Sequence, residues 1–308
     1  MGARVQLSVR RLHAAIDAMI VTLGSVTRRV FIERSATFLS SLALSPRGRW
    51  SLRAPVSLRI GIAAPLSMPR HYRLGLELGL DEARHAATLF GGTIVDVPIA
   101  TPQGIGGVLS AIIGAGDESA TLAWTHRAAG SNTTYMNVSC TSDRLRRDDC
   151  SRAAFHVAPS DAMARDAVSA AKSSSTTRAE SWDAALTRFG ADTLNQRFLT
   201  RFREPMTPAA WNAWFAVKAI WESALRQKSG EPKQIAEYLA GDATQFDGHK
   251  GTPLSFRSWD HQLRQPLYLV GGGPPQQIPE IRGDESVREA LDRLGGSART
   301  PSCGATDE

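Results

Sequence analysis

The chain has no run of 18 or more apolar residues, so no segment reads as a long bilayer-spanning helix. Cysteine is scarce at three residues in 308, and no cysteine or histidine lies at zinc-ligand spacing, which argues against a metal site. There is no Gly-x-Ser-x-Gly elbow, no P-loop and no His-Glu-x-x-His pair. The sequence therefore offers no residues for an enzyme and no cofactor motif. A partial dinucleotide fingerprint, Gly104-Ile105-Gly106-Gly107-Val108-Leu109, fails at its sixth position, where Leu109 replaces Gly or Ala.

What is present is the composition of a globular domain, 42% apolar and 21% charged. The net charge of +6 is concentrated at one end. Residues 1–54 hold the nine arginines Arg4, Arg10, Arg11, Arg28, Arg29, Arg34, Arg47, Arg49 and Arg53 against Asp17 and Glu33, leaving 27 basic and 28 acidic residues over 55–308. A nucleic-acid binder keeps its basic surface on the folded domain, so nucleic acid is rejected as a partner. Thr27-Arg28-Arg29-Val30-Phe31-Ile32 has the form of a twin-arginine export motif, with Arg28 and Arg29 as the pair and a modest apolar run from Ser35 to Leu44 behind it. Residues 1–54 read as an export leader, with Met19 a candidate start and cleavage expected after Ala54. The bland alternative is a basic tail.

Cys140 and Cys150 enclose nine residues, a loop that export would allow to close as a disulfide, contributing about 2–3 kcal/mol. The alternative is two unpaired thiols. Cys303 falls in a polar tail and is expected to be exposed.

Along 55–172 the pattern alternates between strand and helix. Ser57–Pro65 reads as a buried strand, 72–90 as an amphipathic helix ended by Gly91-Gly92, and 93–98 as a second strand. A helix over 104–114 is expected next. The third strand is then placed at 120–124, the fourth at 133–138, the fifth at 153–159, and a helix at 161–172. This predicts an α/β fold with one doubly wound parallel sheet whose strand-end loops hold the ligand. A Ser/Thr-rich linker, 173–181, is followed by helices at 182–189, 193–203, 208–227 and 232–239 and strands at 253–256 and 265–270. Residues 271–308 are polar and read as a mobile tail with one short helix near 284–294.

The stretch from Trp211 to Val270 is the most specific. It runs from the Trp-rich helix WNAWFAVKAIWESAL through GEPKQIAEYLAG to FDGHKGTPLSFRSWDHQLRQPLYLV. Together with IGIAAP, GLELGLDEARH, YMNVSCTSDRL and FHVAPSDAM, it resembles the periplasmic solute-binding proteins of the Leu/Ile/Val-binding type. The likeness is greatest to the branch that accompanies pyrroloquinoline-quinone (PQQ)-dependent alcohol dehydrogenase systems. The resemblance implies a type I periplasmic-binding-protein fold that presents a small polar metabolite, amino-acid-like or a short carboxylate, to an ABC permease. It also implies ligand contacts at Ser139 and Thr141, more loosely at Thr125, and at Ser67 after the first strand, with Trp124 and His126 as candidate walls. Ordinary capping and turn chemistry is the competing reading of each hydroxyl. Trp211, Trp214 and Trp221 have the spacing of a packed helix face.

One departure stands out. Only 22 residues separate Pro159 from Trp182, and a βαβ unit needs about 30. The crossover before the fourth strand also reads as barely a turn. The expectation is therefore a nearly whole first lobe over 55–172 and a reduced, mainly helical second lobe over 182–270. The second functional reading is an interaction or accessory protein of a periplasmic quinoprotein dehydrogenase.

Overall fold

A computed structural model describes residues 55–296, apart from 65, 172–176, 272 and 281–282, together with residue 303. The leader with Arg28 and Arg29 lies outside the described residues. Five strands, β1 (Ser57–Ala63), β2 (Thr93–Ile99), β3 (Ala111–Gly114), β4 (Tyr135–Asn137) and β5 (Ala154–His156), form one parallel sheet in the order β2-β1-β3-β4-β5. The short runs of β3, β4 and β5 are fully buried, because both faces of this part of the sheet are covered. No described helix is long and apolar enough to cross a membrane.

The helix α1 (Arg70–Leu89) covers one face, and α2 (Glu118–Ala129) covers the other with the 100–110 crossover. Here the third unit differs from its sequence reading. Residues 111–114 are a strand and 118–129 a helix, the reverse of the expectation. Ala-Ile-Ile-Gly is too short for its period to be read, and Gly104, Gly106 and Gly107 discourage a helix before it. Asp117 starts α2 by accepting the Ala120 N–H at 2.8 Å. The crossover to β4 is thus a full three-turn helix.

After α3 (Asp161–Ala170) the chain forms β6 (Arg178–Glu180), then α4 (Ala191–Phe202), α5 (Pro208–Gln227) and α6 (Pro232–Ala240). These helices do not build a lobe of their own. Leu194, Phe198, Trp211, Trp214, Phe215, Val217 and Ile235 share one core with Ile60 and Ile62 of β1, Ile113 of β3 and Leu74 and Leu78 of α1. The expected boundary at 173–181 therefore does not divide the core, and the described residues from 55 onward belong to one compact unit. The segment expected to be helical at 182–189 is a set of turns.

The closest approach is between α1 and α5. A Cβ on Gly75 would lie 2.0 Å from the Ala210 carbonyl oxygen, and one on Gly79 would lie 3.0 Å from the Val217 Cβ. Glycine at these two positions lets the backbones touch. Trp211 stacks on Trp182 (5.8 Å between centroids) and on Phe215 (5.1 Å), so the indole stripe is core.

Two small antiparallel sheets complete the chain. β7 (Phe246–Asp247), β8 (Pro253–Phe256) and β9 (Leu263–Arg264) continue outward from β5 through a bridge between His156 and Gln262. β10 (Leu267–Val270) lies between β6 and β11 (Gln276–Ile278), and this sheet packs with Met163 and Ala167 of α3 and with Leu294 in a separate small core. The tail carries α7 (Val287–Asp292). The chain thus leaves the large core at 157–160, returns near Ser181 and leaves again at 264–266. Among the described residues there is no second parallel sheet.

Gly75→Ala is expected to destabilise by about 3 kcal/mol or more, at the upper end of overpacking penalties, because the clash is with backbone. Thermal melting would read this as a drop of roughly 6–12 °C. Gly130→Ala, whose Cβ would meet only ordinary contacts at 3.6 Å and beyond, is the control and is expected to stay near wild type.

Candidate functional site

The carboxyl ends of β1, β3 and β4 converge on three turns. After β1, Ala64 takes a positive φ of 45°, and its carbonyl accepts the Ser67 N–H (3.0 Å), the Met68 N–H (3.2 Å) and the Ser67 hydroxyl (3.1 Å). Ser67 is exposed, and Leu66 beside it is 99% exposed. The turn after β3 is Ala115-Gly116-Asp117, which opens α2. After β4 comes Val138-Ser139-Cys140-Thr141.

The last two turns are bound to each other. The Ser139 hydroxyl donates to the Gly116 carbonyl at 2.8 Å and accepts the Gly116 N–H at 2.7 Å. Buried Asn137 holds the β4 turn from beneath: its Oδ1 accepts the N–H groups of Ser139 (3.1 Å) and Cys140 (2.9 Å), and its Nδ2 donates to the Cys140 carbonyl (2.7 Å). Ser139 is thus a half-buried positioning group, while Thr141 is exposed, with its carbonyl accepting the Asp161 N–H of α3 at 2.8 Å.

Thr125 does not belong to this group. It is buried within α2 among the residues that face the sheet, as is Trp124, because the predicted strand there is a helix. The structure leaves Ser67 in the turn after β1 and Ser139 and Thr141 in the turn after β4, and places Thr125 in the buried face of α2.

The predicted Cys140–Cys150 pair is also corrected. Cys150 is bonded to Cys303, with Cα atoms 5.0 Å apart across 153 residues of sequence, and Cys140 is a buried free thiol. Asn137 fixes the Cys140 turn in the core, whereas Cys303 is brought to the 147–152 loop by its N–H donating to the Trp259 carbonyl (2.8 Å) and its carbonyl accepting Arg152 Nε (3.0 Å). Cys303 is therefore buried rather than exposed.

Several residues at this edge gave no sequence signal. Tyr72, in the first turn of α1, reaches toward the Cys140 turn and Glu180 of β6; burial first, then Glu180 and Cys140, push its phenol pKa up. Asn212 of α5 donates to the Val138 carbonyl (3.1 Å) and accepts the Ser181 hydroxyl (2.8 Å), tying β4 to the returning chain. Asp117 is fully charged at neutral pH, its pKa held down by the Ala120 N–H and the Ser119 hydroxyl. Only the fold, which brings these separate segments to the sheet edge, could have identified them.

Arg146 is the buried staple under the β4 turn. Its Nη1 donates to the Cys140 (3.0 Å) and Ser142 (2.9 Å) carbonyls, its Nη2 to the Ala158 carbonyl (2.8 Å) and its Nε to Gln262 Oε1 (2.9 Å). Burial lowers its pKa to about 10, so it remains protonated at neutral pH. A second buried cation, Lys250, donates to Gln265 Oε1 (2.6 Å) and the Pro266 carbonyl (3.2 Å) and lies 3.8 Å over the Trp211 ring. Gln265 in turn donates to the Val157 carbonyl at 2.7 Å, so the two chain crossings are joined. Among the described residues no His/Cys/Asp/Glu group could hold a metal ion.

Cavities of about 290, 330 and 420 Å³ lie elsewhere, and none is lined by Ser67, Ser139 or Thr141.

Arg146→Met is expected to cost at least about 3 kcal/mol, because it leaves four acceptors without their buried donor. The Asp143–Arg165 anchor of the same turn (2.7 Å) adds a pH signature. Partial burial pushes Asp143 up, but Arg165 and the Ala162 N–H outweigh it and hold its pKa below the usual carboxylate value. That contribution is present above about pH 4 and is lost as pH falls through the lowered value. Denaturant melts of wild type and Asp143→Asn between pH 7 and pH 2 are expected to converge only in strong acid.

No protein-family model matches the chain, and no curated protein matches it by sequence. Solved structures do. A branched-chain amino-acid ABC transporter periplasmic ligand-binding protein from Burkholderia xenovorans superposes with a TM-score of 0.61 at 10% identity, over 82% of this chain and 100% of that one. The leucine-, isoleucine-, valine-, threonine- and alanine-binding protein of Brucella ovis gives 0.58 at 13%, over 73% and 94%. An ABC-transporter solute-binding protein from Rhodopseudomonas palustris, in complex with 3,4-dihydroxybenzoic acid, gives 0.56 at 8%, over 72% and 95%. At such identities the likeness is one of architecture: the chain has the α/β fold of the type I periplasmic binding proteins.

Proposed function

We propose that this protein is a non-catalytic solute receptor, the substrate-binding component of an ABC-type uptake system acting in the periplasm. The observation that carries the reading is the carboxyl edge of the β2-β1-β3-β4-β5 sheet. There, Thr141 is exposed beside a β3–β4 turn pair locked by Ser139, Ser67 is exposed in the turn after β1, and the chain crosses three times to a small second module. Strand-end turns of a parallel sheet are where such folds bind ligands. Neighbours of the same architecture include one solved with isoleucine and one with 3,4-dihydroxybenzoic acid.

The solute is small and polar. The N–H groups of Ser139 and Cys140 are already spent on Asn137, and Asp117 caps α2 with its own carboxylate. The edge presents the hydroxyls of Thr141 and Tyr72, with the Asp117 carboxylate engaged by the Ala120 N–H and the Ser119 hydroxyl and the Glu180 carboxylate paired with Arg178 (2.8 Å), a set suited to a small polar group that both donates and accepts. The reduced second module, built of α3, β6, β10 and β11, supplies Glu180 rather than a full opposing jaw. Delivery to the periplasm through the Arg28-Arg29 motif belongs to the same proposal.

Thermal melting against amino acids, amines, polyols, short carboxylates and alcohol-oxidation products tests the reading. A ligand at 100 times its Kd is expected to stabilise by about 2.7 kcal/mol, a shift of roughly 5–11 °C. Thr141→Val and Tyr72→Phe should each weaken the hit at least severalfold while leaving the unliganded melting temperature in place. No shift across the panel, or unchanged affinity in both variants, would contradict the assignment.

A further inference from the structure

The C-terminal segment is docked, and the way it is docked is unlike the rest of the molecule. Residues 283–296 lie over two arginines buried on the β8–β10 segment, Arg257 and Arg264. Asp292 of α7 accepts Arg257 Nε (3.2 Å) and Arg264 Nε (2.7 Å) on one oxygen, and the Leu291 and Leu294 carbonyls at the end of α7 accept Arg257 Nη2. Asp260 is the other carboxylate facing Arg257, at 3.4 Å, and the ring of Trp259 stacks on both guanidiniums. Few apolar side chains back these polar contacts: Ala290, Leu291 and Leu294 are the buried ones on the segment.

Packing on either side is incomplete. A cavity of about 330 Å³ separates α7 from Thr252, Pro266 and Gln277, and one of about 420 Å³ runs between α3 and Arg293 and Leu294. Further ties include Arg288 with Asp242 (2.8 Å), the Gly295 N–H with Asp166 (2.8 Å) and Arg293 Nη2 with the Glu280 carbonyl (2.9 Å), all at the surface. The covalent tie is the Cys150–Cys303 disulfide, which fastens the chain beyond the segment to the loop before β5.

We propose that residues 283–296 are a releasable strap, locked by the Cys150–Cys303 disulfide, over the Arg257–Arg264 pair and the Gln265–Pro266 crossing that joins the two modules. The unlocking reagent is a dithiol. One thiolate attacks a disulfide sulfur to form a mixed disulfide and expel one cysteine thiolate, and the second thiol displaces the other cysteine. Two electrons and two protons thus pass to Cys150 and Cys303, and the dithiol leaves as its own disulfide. Released, the strap withdraws Asp292 and opens the crossing; the large core, which takes none of its packing from the strap, stays folded.

The test is limited tryptic proteolysis of the full chain with and without dithiothreitol, together with thiol counting under denaturing, non-reducing conditions. Untreated protein is expected to show one thiol, Cys140. Reduction should speed cleavage after Arg288 and Arg293 at least tenfold, shift the fluorescence contributed by Trp259 (absent in Trp259→Phe), and lower the main melting transition by no more than the roughly 10–20 °C that opening a 153-residue loop predicts, without abolishing it. A Cys150→Ser/Cys303→Ser variant should behave like reduced protein without reductant. Three thiols in untreated protein, unchanged cleavage on reduction, or loss of the main transition along with the strap would each overturn the proposal.

Discussion

The contact on which the fold depends is the meeting of α1 and α5, elements about 140 residues apart in sequence. Gly75 and Gly79 let the α5 backbone at Ala210 and Trp214 come down onto α1, and the Trp182–Trp211–Phe215 stack fills the space beside them. Without that closure, Leu74 and Leu78 of α1 would lose half their surroundings and the β1 and β3 side chains Ile60, Ile62 and Ile113 would lie under a single helix. Burial of these residues is worth on the order of 1.5–3 kcal/mol per large apolar side chain, more than a typical neutral hydrogen bond contributes.

Because the returning chain completes the large core, the strand ends are left free for another use. Polar groups, not apolar packing, shape that edge. Asn137 and Arg146 hold the β4 turn from below, Ser139 joins it to the β3 turn, and Asn212 links it to Ser181. Buried polar networks of this kind specify geometry when every member is satisfied. The crossing to the small module uses the same device, with Lys250, Gln265 and the Val157 carbonyl in series. Burial pushes the Lys250 pKa well down, and the Trp211 face and two oxygen acceptors serve in place of a carboxylate.

Much of the large unit was legible in the sequence, for a physical reason. β1, β2 and α1 have long, clean periods, and α5, running from Pro208 at its start to Gln227, matches the range the sequence predicts. The misread unit was β3–α2. Ile112 and Ile113 form a run too short to show a period, while Ala120–Trp124 is apolar enough to imitate a strand although Asp117 caps it as a helix. That exchange alone moved Thr125 from the site into the core. The cysteine pairing was set by distance in space, which loop length cannot report, and the polar Arg178–Glu180 strand was hidden in a segment that reads as a linker.

Hydrogen exchange measured residue by residue tests the central claim, that residues 182–263 close the core of the sheet rather than forming a lobe of their own. The account predicts that interior amides of α5 exchange with the same opening free energy as those of β1 and β3, rising and falling together with denaturant as one cooperative unit. Exchange of α5 through a separate, lower-energy opening that leaves β1 and β3 protected would contradict it.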